Sequence, residues 1–345
     1  MPKTKIEAPW NKTEWLEETD LWIKTELEMR GTELNGAIEQ PHIRPWSLVR
    51  RIPTTRGFYF FKASAPVLSH EPGLTRALFG WRPDCIQTVL AINPERAWML
   101  MPDESPWLRG IIQTKADLSH WEVILPLYAA FQKEMLDRKD SLLALGILDR
   151  RLEGLPEQFE QMLEDRPAML IGHPEGLTEA QYQQLFDSLP RFRAMCQRLQ
   201  ASGIPETLHH DDFHDGNVFV PQGRYVFSDW GESCVAFPFF TLLVTLRSIA
   251  YRFDLPFGSS EDHFQFAPEL LHLRDIYLSA WLEYGSLDQL REVFSLAWRV
   301  AMVSRTLTWH HVLSHLPEQD QADNAEAVPA SLQLFLESLS EKAVY

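Results

Sequence analysis

From Leu208 to Glu232 the chain reads Leu-His-His-Asp-Asp-Phe-His-Asp-Gly-Asn-Val-Phe-Val-Pro-Gln-Gly-Arg-Tyr-Val-Phe-Ser-Asp-Trp-Gly-Glu, and this stretch constrains the fold more than any other. Pro221-Gln222-Gly223-Arg224 suits a four-residue hairpin loop between two short apolar runs. The register follows from the loop: Val220 faces Tyr225, Phe219 faces Val226 and Val218 faces Phe227. Asn217 then comes opposite Ser228, beside Asp229, so one end of a two-stranded ribbon carries both side chains. Asp212 lies shortly before Asn217, across a tight loop that contains Gly216.

Oxygen-bearing side chains gathered in this way have a chemical use. Magnesium is a hard cation that takes one or two carboxylates together with substrate phosphates. Asn217 and Asp229 suit that task. A further aspartate, not consumed by the metal, can accept a proton from an attacking hydroxyl. Phosphoryl transfer needs little more, because its catalysis is mostly positioning and charge neutralisation. A cation for the phosphates is offered by Lys62, which sits in the apolar run Phe58-Tyr59-Phe60-Phe61-Lys62-Ala63.

The rest of the chain falls into two textures. Lys12 to Met29 has helical spacing of Trp15, Leu16, Thr19, Trp22 and Ile23. Trp46–Arg51, Gly57–Ala63, Ile86–Asn93 and Ala97–Met101 read as strands, with a short helix over Glu71–Leu78 that has Pro72 in its first turn. Pro102-Asp103-Glu104-Ser105-Pro106 breaks this strand-rich unit. Helices follow: a long amphipathic one through Leu118, Trp121, Leu125, Tyr128 and Met135 with Asp117 as its cap, then Leu155–Leu163, Glu179–Leu199, His272–Tyr284 and Leu287–His311. The segment from Pro317 to Val328 reads as a loop before a last helix. The organisation expected is a helical arm over 1–45, a small strand-rich lobe over 46–102, and a mainly helical lobe over 103–345.

His210-x-Asp212-x-x-x-x-Asn217, followed by Asp229 after a hairpin, resembles the aminoglycoside phosphotransferase family, relatives of the protein kinases. His-Asp-Asp-Phe-His-Asp-Gly-Asn, from His210 to Asn217, is similar to the family's His-Gly-Asp-Leu-His-Pro-Gly-Asn, with Asp215 in place of the usual proline. Asp229-Trp230-Gly231 stands where protein kinases carry Asp-Phe-Gly. The resemblance implies a two-lobed, protein-kinase-like α+β fold, with a small antiparallel sheet in the first lobe and ATP in the cleft between lobes. It implies Asp212 as catalytic base, and Asn217 and Asp229 as magnesium ligands. Lys62 would lie on the α/β-phosphates with Glu71 as its partner. The Met99-to-Asp103 segment, Met101 and Asp103 included, would be the hinge that meets adenine. Asp211 is set aside as base, because the residue five further on is Gly216. Glu232 and His214 are candidates for the acceptor side. The first lobe has no GxGxxG, which argues against protein-kinase activity but leaves the fold reading intact.

Composition bounds the partners. With 48 acidic against 32 basic side chains and a net charge of −16, the chain is poorly suited to nucleic-acid phosphates. It leans toward a cationic or neutral small-molecule acceptor such as an aminoglycoside, an amino alcohol or a sugar derivative. Three scattered cysteines without a CxxC pair exclude a cysteine-built zinc site and fit a reducing compartment. The N-terminal residues lack the apolar core of a signal peptide, and the longest nearly apolar run, Val235–Leu246, is too short for a bilayer. A cytoplasmic protein with ATP and Mg2+ as cofactors is expected. Two other readings stand beside the kinase. One is a catalytically silent nucleotide-binding relative. The other is a non-haem iron oxygenase that uses His210 and Asp212, which would need a double-stranded β scaffold.

Overall fold

Polar and apolar residues alternate at helical spacing from Thr13 to Glu28, and in the computed structural model that segment is a helix, α1, whose Thr19, Ile23 and Leu27 are buried. The structure describes residues 7–260 and 263–340; residues 1–6 of the expected helical arm, 261–262 and 341–345 lie outside the described residues. Strands β1 (Glu39–Arg44), β2 (Ser47–Thr54) and β3 (Gly57–Ser64) follow, then helix α2 (Glu71–Trp81) and strands β4 (Ala91–Asn93) and β5 (Trp98–Pro102). After them come helices α3 (Leu108–Ile111), α4 (Ser119–Glu134) and α5 (Lys139–Ala144), strand β6 (Leu148–Asp149), and helices α6 (Leu155–Leu163) and α7 (Glu179–Ala201). Strands β7 (Thr207–His209), β8 (Val218–Phe219), β9 (Val226–Phe227) and β10 (Cys234–Ala236) lead to helix α8 (Thr241–Phe253). The hairpin β11 (Phe257–Ser260) and β12 (His263–Phe266) and the helices α9 (Pro268–Ser279), α10 (Leu287–Ser314), α11 (Glu318–Gln321) and α12 (Ala327–Ser340) complete the order.

The chain divides into two compact units. The first comprises the chain up to Leu108 together with Gly216–Gly231 and Val312–Ala322; the second comprises Arg109–Asp215, Glu232–His311 and the chain from Asp323 onward. In the first unit an antiparallel sheet has the order β1-β2-β3-β5-β4. Successive residues of β3 face opposite sides of the sheet. Phe61 and Ala63 join Ile23, Leu27, Leu48 and Trp98 in an apolar cluster; Trp15 meets Phe61 and Trp98 edge-on, and Trp22 meets Phe61 edge-on and Trp98 at a tilt. Lys62 therefore points to the other face. The second unit is helical apart from the three-stranded β6-β10-β7 sheet and the β11-β12 hairpin. This is the two-lobed α+β, kinase-like class expected.

The differences from the sequence reading have local causes. β1 lies in the region read as a helical arm. It is mostly exposed and includes Pro41, so neither alternation nor composition marks it, and Pro fits there because β1 is an edge strand. The strand read over Ile86–Asn93 contracts to β4, with Ile86 making only an isolated bridge to Phe227. Asp117 does not cap α4. Its carboxylate accepts from the backbone N–H groups of Gln113 and Thr114, closing a capping box on the preceding turn. Helix α8 went unread because Pro238 interrupts the apolar run that leads into it.

Candidate active site

The part of the Leu208–Glu232 stretch that falls in the first unit is the β8-β9 hairpin with its flanking residues. The hairpin register is the one dictated by the loop: Val218 pairs with Phe227 and Phe219 with Val226. Gln222 and Gly223 take the positive φ values the turn demands, 51° and 80°. The backbone N–H of Ser228 donates to Asn217 O at 3.0 Å, which brings Asn217 to the residue preceding Asp229. Asn217 is buried, and Asp229 adopts a left-handed φ of 64° that Asp tolerates better than most residues.

Lys62 is the centre of the first unit's group. Its Nζ donates to Glu71 Oε1 at 2.6 Å and to Asp229 Oδ1 at 2.7 Å. Glu71, fully buried at the start of α2, accepts at its other oxygen from Ser64 Oγ at 2.7 Å. Burial pulls the Lys62 ammonium toward neutrality, but the Asp229 and Glu71 carboxylates outweigh it and hold its pKa above the ordinary lysine value. Burial pushes Glu71 upward, with the charge of Lys62 opposing it. Gly231 passes close to this pair; a Cβ there would meet Glu71 Oε2 at 3.2 Å, a tight contact that the Glu71 carboxylate would have to yield to.

The hinge candidates lie on β5 and, for Asp103, just past its end. Met101 is buried opposite Phe60, and it runs one residue past the end of the β4 pairing at Leu100. The Asp103 N–H donates to Phe58 O at 3.1 Å, while its carboxylate accepts from Ser105 N–H at 2.8 Å.

The remaining candidate residues belong to the second unit. α8 lies along the strand and loop that carry Asp212. The Thr241 hydroxyl meets His209 Nδ1 at 3.0 Å, Thr245 Oγ1 donates to Phe213 O at 2.8 Å, and Arg252 reaches Asp215 at 3.3 Å. Tyr128 stacks on Phe213, and its hydroxyl accepts from the His210 N–H. His210 serves the loop: its Nδ1 accepts from Asp212 N–H at 3.3 Å.

Asp212 sits between a histidine and an arginine. His214 Nε2 is 3.3 Å from Asp212 Oδ2, while Arg109 donates to His214 Nδ1 at 3.2 Å. A guanidinium can only donate, so the neutral His214 ring keeps its proton on Nε2 and presents it to Asp212. Arg305, from α10, donates to Asp212 Oδ1 at 3.2 Å. Burial would raise the Asp212 carboxyl, but the His214 hydrogen bond and the Arg305 charge prevail and hold it well below the usual carboxylate range. Arg305 also pairs closely with Glu232 and lies 3.6 Å from buried Asp211, which takes a left-handed φ of 62°. Burial raises the Glu232 carboxyl to about 7 despite the nearby guanidinium. Glu232 thus faces Arg305, and His214 faces Asp212. Asp215, the substitute for the family's proline, accepts from Arg109 at 2.8 and 3.0 Å and pairs with Arg252, which gives that choice its physical reason.

Sequence reasoning did not find Arg305, Arg109 or Arg252. One signal was present for Arg305: a cation in the helical run Ala301-Met302-Val303-Ser304-Arg305-Thr306-Leu307, where burial demands counter-charges. Asn217 and Asp229 are both hard oxygen donors, and that donor chemistry fits a magnesium ion shared with phosphates. Among the described residues no group of three His, Cys, Asp or Glu side chains is arranged to hold a metal. No helix among them is long and apolar enough to cross a membrane.

Comparison with known proteins bears on this geometry. No curated protein sequence matches the chain. Residues 125–292 match the phosphotransferase enzyme family. Three solved structures share the fold. A mutant of aminoglycoside 2′-phosphotransferase IIIa in its GDP complex is 11% identical with a TM-score of 0.58, over 93% of this chain and 97% of that one. Choline kinase from Cryptosporidium parvum is 11% identical with a TM-score of 0.58, over 94% and 95%. Amicoumacin kinase in complex with AMP-PNP, Ca2+ and Ami is 13% identical with a TM-score of 0.50, over 92% of each chain. Residues 125–292 thus match the phosphotransferase enzyme family, and the chain shares its fold with an aminoglycoside phosphotransferase and a choline kinase.

Proposed function

We propose that this protein transfers the γ-phosphoryl group of ATP to a hydroxyl of a small molecule, with Asp212 as base. The observation that carries the reading is Lys62, buried and held between Glu71 and Asp229. A lysine enclosed by two carboxylates is a costly arrangement in a structural role, because its desolvation must be offset by well-made pairs. It is a useful one where a phosphate has to be met by a fixed cation.

In this reading Lys62 contacts the ATP phosphates, and Glu71 keeps its ammonium aimed. Asn217 and Asp229 would hold Mg2+, which supplies charge neutralisation at the phosphates. The backbone around Met101 and Asp103 receives the adenine. Asp212, ionised and oriented by its neighbours, takes the proton of the acceptor hydroxyl. His214 and Glu232 border it on the acceptor side. The neighbours that share the fold include a choline kinase and an aminoglycoside phosphotransferase, which supports amino alcohols, aminoglycosides and sugar-like alcohols as the acceptor classes to screen. A cytoplasmic location accords with the need for ATP.

The test is magnesium-dependent ATP consumption by the purified protein against a panel of those alcohols, with Asp212→Ala as control. Turnover that depends on one acceptor and is lost in the variant supports the reading. Turnover undiminished in Asp212→Ala removes the base assignment, and tight ATP binding without turnover on any acceptor favours the silent relative.

A further inference from the structure

We infer that Arg305 is a positioning residue for phosphoryl transfer: it holds the Asp212 carboxylate in a fixed orientation, and it is itself aimed by Asp211 and Glu232. The inference rests on the reading of Asp212 as the base.

The geometry is a chain of contacts confined to the second unit. Thr241 meets one ring nitrogen of His209 at 3.0 Å, and the other ring nitrogen meets Asp211 Oδ1 at 3.0 Å. The remaining Asp211 oxygen lies 3.6 Å from Arg305 Nη1, which also pairs with Glu232. The second guanidinium nitrogen, Nη2, reaches Asp212 Oδ1 at 3.2 Å. The side chain of Arg305 is only 9% exposed, and Asp211 is 3% exposed. A planar guanidinium held at one nitrogen by two carboxylates has its second nitrogen fixed in direction, which a lysine could not reproduce.

This arrangement assigns a task to the first aspartate of the Asp-Asp pair. Asp211 does not touch the reacting groups; it sets Arg305, and Arg305 sets Asp212. The groups that face Asp212 are Arg305 from α10 and His214 and His210 from its own loop. Arg109 stands behind His214, and Asp211, Glu232 and Asp215 are the nearby acids. Of the cations among them, Arg305 alone bridges three carboxylates.

The experiment titrates the carboxyl carbons of 13C-aspartate-labelled protein by NMR, with the Asp212 signal assigned through Asp212→Asn. It compares wild type, Arg305→Gln and Arg305→Lys, and needs no acceptor. In the wild type Asp212 stays ionised down to the acid-unfolding limit. In Arg305→Gln its titration moves up by about one pH unit or more, as expected on loss of an adjacent opposite charge. Arg305→Lys keeps part of the shift, and it carries the test if the glutamine variant does not fold. On whichever acceptor turns over in the panel, Arg305→Gln lowers kcat about 100-fold with the KM for ATP little changed, the size of effect that misorientation produces. Arg305→Lys recovers part of kcat. An unmoved Asp212 titration with wild-type kcat in folded Arg305→Gln, while Asp212→Ala is inactive, overturns the inference and leaves the base assignment standing. An active Asp212→Ala instead overturns the base assignment itself.

Discussion

Lys62 Nζ lies 2.7 Å from Asp229 Oδ1 although 167 residues separate them in sequence, and its other partner, Glu71, is completely buried. This pairing ties the sheet to the β8-β9 hairpin within the first unit, and its energetics differ from those of a surface ion pair. Replacing Lys62 by Met removes one partner and leaves Glu71 without its cation. Breaking a buried pair in this way costs about 3 kcal/mol. Chemical denaturation of Lys62→Met at neutral pH should show a loss of that order together with a raised KM for ATP. The loss should shrink in acid, where Glu71 takes up a proton. A variant as stable as the wild type would show that the pair contributes nothing net.

Asp229→Asn keeps the size of the side chain and one of its oxygen donors but removes the charge. If Asn217 and Asp229 share the metal, this variant should need markedly more magnesium for half-maximal turnover. A titration of rate against Mg2+ concentration measures it. An unchanged midpoint would move the metal to other residues.

The hairpin that carries these groups was legible because its determinants are local: a loop with a proline and a glycine, short apolar runs on either side, and a register that allows one arrangement. Lys62 was legible as an oddity, a cation inside an aromatic strand. Arg305 was not, because 93 residues separate it from Asp212; the cation in its helical run gains meaning only from its burial, which is a tertiary property. The same holds for Asp215. As a letter it departs from the resembling pattern, and only the fold brings Arg109 and Arg252 to it. β1 escaped for the opposite reason, since an exposed edge strand needs no apolar alternation.

Asp215→Ala should release both arginines from the loop that carries Asp212. The carboxylate is nearly buried while Arg109 is half exposed, so the loss lies between that of a surface pair and that of a buried one, about 1–2 kcal/mol. Thermal unfolding at low and high salt measures it. The difference between wild type and variant should narrow as salt rises, because the exposed arginine is screened. A salt-independent difference would place the effect in packing.

Glu232 gives a pH signature of its own. Burial raises its carboxyl to about 7 in the folded state, against about 4.3 for a free glutamate. Between those values the folded protein binds a proton that the unfolded chain has released. Its contribution is therefore fully present below about pH 4, and it declines as pH rises toward 7. Glu232→Gln carries a permanently neutral side chain and has no such slope. The unfolding free energy of the wild type, measured relative to this variant, should therefore fall by a few kcal/mol at most from pH 5 to pH 7. The Arg305 charge opposes burial at this carboxyl, so Arg305→Gln should extend the decline to higher pH. Parallel stability profiles for wild type and Glu232→Gln across that range would mean that the carboxylate stays ionised beside Arg305 throughout, and that the pairing outweighs the desolvation.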